Sequence, residues 1–218
     1  MFRRGFVHRT AATTANPTTT GLLVLTRDEW NDHLSAVGVV PLEAARAQPP
    51  RFPLRVPVGV GHAVVERISI VQKDLLDTVP IAYVSPDDVA LASDALAELI
   101  GLPDLRAGVR RPPTPPGPTN YPLWGQVFYG PGTPEPKRYV IVSANTWNRD
   151  GRALAVRLTS STRRFGEEFP NVHGGGAVCA EVQSFVTTRF TSRQRIPPDV
   201  SDADMRAIID GIAFTHRL

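Results

Sequence analysis

The two halves of this chain repeat each other in sequence, and this repetition constrains the fold more than any other feature. Trp30 matches Trp147 at a spacing of 117 residues, and each is followed by an asparagine. The runs VVPL (39–42) and AVRL (155–158) match at a spacing of 116. Spacings this steady predict a tandem duplication, in which each half folds into the same arrangement of elements. Further pairs at spacings of 115 or 116 are Glu66 with Glu181, Ser69 with Ser184, Ser85 with Ser201, and Asp94 with Asp210.

The repeat divides the chain into residues 1–104 and residues 121–218, joined by residues 105–120. The joining stretch is rich in proline and carries three arginines but no acidic residue. Such a composition cannot pack a core and is typical of an extended linker. The first half has a net charge of −3 and the second of +3. A polyanionic partner would therefore bind the second half.

Each half has the pattern of several short strands followed by one terminal helix. Runs rich in β-branched residues predict strands at 21–26 and 36–42 in the first half, and at 138–144 and 153–159 in the second. The terminal helices begin at Ser85 and Ser201, where serine is a favoured N-cap and acidic residues follow in the first turn. The predicted class is mainly β with α (α+β), as a small barrel-like sheet with one packed helix in each half. Further strands are predicted at 5–7, 54–58, 63–71, 125–129 and 177–187.

The composition excludes several classes of protein. A single cysteine, Cys179, leaves no internal disulfide and no cysteine-rich metal site. The five histidines share no ligand spacing, so we expect no bound metal and no cofactor. No apolar run is long enough to cross a membrane, and the basic start of the chain lacks the apolar core of a signal peptide. We therefore expect a cytoplasmic protein.

The stretch from Lys137 to Thr162 contains the most informative polar residues. Arg138 opens an apolar strand, and the following strand closes on Thr159 and Ser160. A guanidinium forks onto phosphate oxygens, and hydroxyls donate hydrogen bonds to the same oxygens. The set suits an anionic substrate, although arginines at strand starts and serines at strand ends are also commonplace in proteins without such a role. Trp124 and Tyr121 either stack on a base or pack, and packing is the interpretation that we favour.

The second half resembles the PemK/MazF family of toxin ribonucleases, within the CcdB/PemK superfamily. The matching segments occur in the family's order and spacing over essentially all of 121–218, and the first half resembles the family more loosely. The matching segments are GQVF (125–128), RYVIVSANTWN (138–148), AVRLTSS (155–161), the apolar strand around Cys179, and the serine-capped terminal helix.

The resemblance implies an SH3-like barrel with an added helix, here as two tandem copies forming an intramolecular pseudo-dimer. It implies an endoribonuclease that cleaves single-stranded RNA without metal, by attack of the 2′-hydroxyl on the adjacent phosphate, leaving a 2′,3′-cyclic phosphate. The family's catalytic pair corresponds to Arg138 and Thr159, and an antitoxin protein is the implied partner. The auxiliary RNA-binding candidates are Ser160, Glu135, Arg157 and Arg163.

Departures from the family pattern leave other functions open. The loop before Arg138 is shorter than usual, and Tyr139 replaces the usual proline. In the first half, Gly21 and Glu43 stand where the second half has Arg138 and Thr159, so the first copy should be inactive. The alternatives are a non-catalytic protein that binds RNA or, like the CcdB-type gyrase poisons, a protein target, and an enzyme whose acidic first half restrains the second.

Overall fold

A computed structural model describes residues 1–10, 18–44, 55–108, 114–130, 137–160, 171–172 and 175–218. Strands predominate, and the described residues contain five helices. The strands are β1 Phe6–His8, β2 Thr19–Val24, β3 Ala36–Glu43, β4 Arg55–Val58, β5 Gly61–Val64, β6 Ser69–Gln72, β7 Ala82–Tyr83, β8 Val127–Tyr129, β9 Arg138–Ile141, β10 Arg152–Thr159, β11 Asn171–Val172, β12 Gly175–Val186 and β13 Arg195–Ile196. The helices are α1 Asp28–His33, α2 Pro86–Leu99, α3 Leu102–Arg106, α4 Asn145–Asn148 and α5 Asp202–His216.

The chain forms two compact units, each built around one curled antiparallel sheet. The first unit comprises Met1–Leu96 with Thr215–Leu218, and the second comprises Ala97–Phe214. The strand order is β4-β5-β3-β2-β1-β7 in the first unit, where β6 also pairs with β3, and β11-β12-β10-β9-β8-β13 in the second. Curled antiparallel sheets with packed helices agree with the predicted barrel-like units. The sequence-based boundaries of 1–104 and 121–218 stay a prediction, and α3 occupies the first two positions of the predicted linker.

The central strand pairs of the two units have the same register. In the first unit Leu22 lies opposite Pro41 and Val24 opposite Val39. In the second unit the residues 117 and 116 positions later pair in the same way, because Tyr139 lies opposite Arg157 and Ile141 opposite Ala155. The spacings found in the sequence therefore correspond to equivalent positions in the two sheets.

One buried hydrogen-bond motif recurs at the turn after β2 and after β9. In the first unit the Thr26 hydroxyl donates to Asn31 Oδ1 at 2.6 Å and accepts the N–H of Gly38 at 3.1 Å. In the second unit the Ser143 hydroxyl donates to Asn148 Oδ1 and accepts the N–H of Leu154 at 2.8 Å. Both motifs satisfy polar groups that would be costly to bury unpaired, and they fix the turn that precedes β3 and β10. The repeated Trp-Asn pair in the sequence marks this motif, but sequence reasoning did not assign it a role.

The terminal helices begin as the sequence predicts. The N–H of Asp88 donates to the Ser85 hydroxyl at 3.2 Å, and the N–H of Asp204 donates to the Ser201 hydroxyl at 3.1 Å. Each hydroxyl satisfies a backbone donor that the helix itself cannot satisfy. The residues predicted for the apolar faces are all buried: Val89, Ala92, Leu96, Leu99 and Ile100 on or just after α2, and Met205, Ile208, Ile209 and Ile212 on α5.

The sequence comparison pairs Ser69 with Ser184, but in the structure the residue equivalent to Ser184 is Ile70, one position later in the chain. The N–H of Leu25 donates to Gly38, and the N–H of Val142 donates to Leu154, so Gly38 and Leu154 are equivalent. Ile70 lies opposite Gly38, whereas Ser184 lies opposite Leu154. The cause is a difference between the strands that follow: β5 and β6 are separated by a 3-10 turn, whereas β12 is continuous and carries an irregularity in its pairing with β10.

Two expectations about buried side chains are confirmed. Trp124 is buried, so it packs rather than offering a surface for stacking on a base, and Cys179 is buried as well. No helix in the described part of the chain has the length and apolar character needed to span a bilayer.

Candidate functional site

Arg138 and Thr159 lie at the same end of the second sheet. Arg138 is the first residue of β9 and lies opposite Leu158, the residue before Thr159. On its other side Arg138 lies opposite Tyr129 of β8. Because β9 and β10 are antiparallel, the start of one strand meets the end of the other. The structure therefore brings the two predicted catalytic residues together at one end of the central strands β9 and β10.

The guanidinium of Arg138 lies over the end of β10, in space that a glycine leaves open. A Cβ atom added to Gly175 would lie 3.1 Å from Arg138 Nη2 and 2.3 Å from the carbonyl oxygen of Thr159. Real Cβ atoms essentially never approach another heavy atom as closely as the second distance. Glycine at position 175 thus permits both the close approach of β12 to β10 and the position of the guanidinium. Sequence reasoning missed this residue, and its signal was the run of three glycines at 174–176.

The side chains of Arg138 and Thr159 leave the sheet on opposite sides. Arg138 shares a side with Leu158, its direct cross-strand partner. Side chains alternate along a strand, so the Thr159 side chain points to the other side. A ligand that contacts both groups must lie around the end of the strands rather than on one face. Ser160 follows Thr159 and is exposed at this end of the strands.

Two of the auxiliary candidates fall outside the described residues, and a third is already engaged. Glu135 and Arg163 lie in the stretches that are not described. The guanidinium of Arg157 forks onto Glu181, with Nε 2.5 Å from Oε2 and Nη2 2.9 Å from Oε1. These hydrogen bonds raise the pKa of Arg157 and oppose the effect of its partial burial. A phosphate would have to compete with this carboxylate for Arg157.

In the first unit the position equivalent to Arg138 is closed by packing. Gly21 lies opposite Leu42, as Arg138 lies opposite Leu158, so the register confirms the equivalence inferred from the sequence. A Cβ atom at Gly21 would lie 2.5 Å from Cγ1 of Val7. A side chain at this position therefore requires Val7 of β1 to shift.

The position equivalent to Thr159 in the first unit is a buried ion-pair cluster. Glu43 is only 5% exposed, and its two carboxylate oxygens lie 3.4 Å from Arg55 Nη2 and 3.5 Å from Arg67 Nη1. A carboxylate neutralised by two arginines stabilises structure and repels a phosphate less than a bare acid would, but it offers no hydroxyl donor. The first unit therefore holds neither of the groups that define the site in the second.

The described residues contain no group of three or more histidine, cysteine, aspartate or glutamate side chains placed to hold a metal ion. The titratable groups near the site are instead Arg138, the Arg157–Glu181 pair and Tyr139. Burial raises the pKa of Tyr139, which lies opposite Arg157 on β10. Tyr139 therefore stays a neutral phenol at the pH values at which the protein would work. In the described part of the site, the positive charges are those of Arg138, Arg157 and the exposed Lys137 that precedes β9.

No protein-family model matches this chain, and no curated protein sequence matches it. Among solved structures, part of the chain is similar to an endoribonuclease from a mycobacterial species, with 25% sequence identity over 46% of this chain and 95% of that one, and a TM-score of 0.40. It is also similar to a mycobacterial endoribonuclease in complex with its cognate antitoxin, with 25% identity over 46% of this chain and 96% of that one, and a TM-score of 0.39.

Proposed function

We propose that the second unit is an endoribonuclease that cleaves single-stranded RNA without a metal ion. The observation that carries this proposal is the position of Arg138, which begins β9 beside the end of β10 at Thr159. The motifs shared with the PemK/MazF family assign catalysis to these same two positions. Cleavage within RNA supplies its own nucleophile, so the protein needs only positioned cations and donors.

In the proposed reaction the ribose 2′-oxygen forms a bond to the adjacent phosphorus and the bond from phosphorus to the 5′-oxygen breaks. The 2′-hydroxyl loses its proton, and the leaving 5′-oxygen gains one. Arg138 stabilises the negative charge that accumulates on the phosphate oxygens in the transition state. Thr159 and Ser160 donate hydrogen bonds at the end of β10. A strand of RNA that crosses the ends of β9 and β10 can there contact groups on both faces of the sheet.

We further propose that the two units are tandem copies of one SH3-like domain and form a pseudo-dimer with one active site. The shared register, the repeated hydroxyl–asparagine motif and the equivalent helix caps support the duplication. Gly21 and Glu43 leave the first copy inert. A cytoplasmic location and an antitoxin protein as partner belong to the same proposal and rest on the family motifs alone.

A second candidate function is RNA binding without cleavage. It is favoured by the opposite directions of the Arg138 and Thr159 side chains, which keep the two groups from converging on one atom across the strand pair. In that case the arginine would hold a phosphate, and no bond would break.

The deciding experiment is incubation of the purified chain with single-stranded RNA in EDTA, followed by analysis of the new ends. We expect fragments with 2′,3′-cyclic phosphate and 5′-hydroxyl ends, and we expect double-stranded RNA of the same sequence to stay intact. Intact single-stranded RNA that is nevertheless bound would establish the second function. Cleavage that requires added Mg²⁺, or that leaves 5′-phosphate ends, would contradict the mechanism.

Replacing Gly175 by alanine should lower the cleavage rate by about 100-fold, because displacement of a positioned group by about 1 Å has effects of this size. The new methyl group would force the end of β10 away from β12 and move the Arg138 guanidinium. The control is Gly59→Ala, since a Cβ atom there meets nothing closer than Asp88 Oδ2 at 3.6 Å. Initial rates of cleavage measure both variants, and full activity of Gly175→Ala would show that the glycine does not position the arginine.

A further inference from the structure

Two segments of equal length occupy equivalent places in the two sheets. The first is 73–82 in the first unit, and the second is 187–196 in the second unit. At their starts, the N–H of Lys73 donates to Ser35 at 2.9 Å and the N–H of Thr187 donates to Gly151 at 3.0 Å. At their ends, Ala82 lies opposite Val7 of β1, and Ile196 lies opposite Val127 of β8. The residues of the two segments therefore correspond one to one.

Each segment is held in place by one buried apolar side chain. Leu76 packs into a cluster with Leu22, Val24, Val37 and Val39. Phe190, the equivalent residue, packs into a cluster with Tyr139, Ile141, Ala153 and Ala155, which occupy the equivalent strand positions. The ring of Phe190 also contacts those of Phe128 and Phe185, at centroid distances of 5.2 and 5.3 Å. The backbone on either side of these side chains is thereby fixed, and the neighbouring side chains are directed outwards.

At three equivalent exposed positions, the first segment has apolar residues where the second has arginine. Leu75, Val79 and Ile81 are 63%, 72% and 44% exposed. Their counterparts are Arg189, Arg193 and Arg195, all of them exposed. The two segments have the same length and equivalent contacts at both ends, so the difference at these three positions lies in the chemistry of the exposed side chains. We refer to Arg189, Arg193 and Arg195 as the arginine edge.

The arginine edge lies in a stretch of sequence that is poor in acidic residues. The sequence contains no acidic residue between Glu181 and Asp199. Arg195 pairs with Asp199, with Nη2 2.8 Å from Oδ1. Arg189 and Arg193 make no ion pair with any residue that the structure describes. Two guanidinium groups are therefore available to a ligand from solution.

The arginine edge belongs to the same sheet as the candidate site. Arg195 lies opposite Phe128 of β8, and Phe128 lies opposite Tyr139, the residue after Arg138. Adjacent strands are about 4.8 Å apart, so two strand spacings place Arg195 about 10 Å from the strand that begins with Arg138. A strand of nucleic acid that reaches Arg138 can extend over this distance.

We propose that the arginine edge binds the phosphate backbone of single-stranded RNA beside the cleavage site. The identity of the polyanion rests on the proposed function, whereas the surface itself rests on the contrast between the two segments. Arginine neutralises phosphates and forks onto their oxygens, so each contact adds affinity without regard to base sequence. Each such contact with a single strand also makes log K fall with log salt by about 0.7.

The test uses a 2′-O-methyl RNA oligonucleotide, which has no 2′-hydroxyl and cannot be cleaved, and measures its dissociation constant from 50 to 300 mM NaCl. The variant Arg189→Gln/Arg193→Gln should bind about tenfold more weakly at low salt, and its salt slope should fall by about 1.4, two contacts at about 0.7 each. The control is Arg149→Gln/Arg206→Gln, which removes two exposed arginines elsewhere in the second unit. The control should bind as the unaltered chain does.

An equal loss of affinity in both double variants would overturn the proposal, because net charge rather than the arginine edge would then be responsible. Unchanged binding by Arg189→Gln/Arg193→Gln would overturn it as well. A poly-glutamate peptide that binds more tightly than the oligonucleotide, with the same dependence on Arg189 and Arg193, would assign the surface to an acidic protein instead. Cleavage of unmodified RNA is measured separately, so loss of the proposed function and loss of this surface are distinguishable.

Discussion

Replacing Arg138 by alanine is expected to lower the rate of RNA cleavage by about 100- to 1000-fold, the range found when one transition-state donor is removed from an active site. Arg138 begins β9 where β10 ends, and its guanidinium lies beside the end of β10. Its loss removes a permanent positive charge from the position where charge accumulates on the phosphate. Initial rates on single-stranded RNA in EDTA measure the effect.

Three comparisons make this prediction specific. Arg206→Ala removes an exposed arginine from α5 and should leave the rate unchanged. Arg138→Lys should recover only a minor part of the rate, since an ammonium keeps the charge but not the planar fork. Thr159→Ala should lower the rate of cleavage by about tenfold. The effect is smaller than that of Arg138→Ala because the Thr159 side chain leaves the sheet on the side away from Arg138. Cleavage by Arg138→Ala at the rate of the unaltered chain would refute the assignment of the active site.

Replacing Glu43 by alanine is expected to lower the free energy of unfolding by about 3 kcal/mol, at the lower end of the range for breaking a buried ion pair. Glu43 is the common partner of Arg55 and Arg67, and its removal leaves the guanidinium of Arg55, whose side chain is largely buried, without a carboxylate. Urea denaturation followed by circular dichroism measures the change.

The matched control is Glu29→Ala in the same unit. Glu29 also has two arginine partners, Arg27 at 3.4 Å and Arg217 at 3.5 Å, but its side chain is mostly exposed. Exposed ion pairs contribute between zero and about 1 kcal/mol. Equal effects of the two variants on the free energy of unfolding would show that burial of the Glu43 cluster adds no stability beyond that of an exposed ion pair.

The sequence predicted the parts of the fold that depend on local patterns. Ser85 and Ser201 cap the helices because the cap is a contact between residues three apart, and such contacts can be read from the chain. The apolar faces of α2 and α5 were predicted for the same reason. By contrast, α1 and α4 are too short to show helical periodicity, and β7, β11 and β13 have only two residues each, so their existence depends on a neighbouring strand.

The residues proposed for the candidate site come from the sequence, and their geometry comes from the structure. Arg138 and Thr159 were identified from their places at strand ends, and the antiparallel pairing of β9 with β10 brings them together. The role of Gly175 depends on how closely β12 approaches β10, which no local pattern records. The pairing of Arg157 with Glu181 also joins residues from different strands. Before the structure was known, nothing distinguished this arginine from one available to RNA.

In the equivalent segments 73–82 and 187–196, the residues that stabilise the sheet differ from the residues that set the chemistry of its surface. Leu76 and Phe190 provide the buried packing, while the positions Leu75, Val79, Arg189 and Arg193 beside them are exposed. Substitutions at these exposed positions can therefore exchange apolar for cationic side chains without disturbing the strands beneath. Under the proposed duplication the two units can also change independently, whereas in a homodimer every substitution is present in both subunits. Two units in one chain can therefore carry different side chains at equivalent exposed positions, apolar in the first unit and cationic in the second, which two identical subunits cannot.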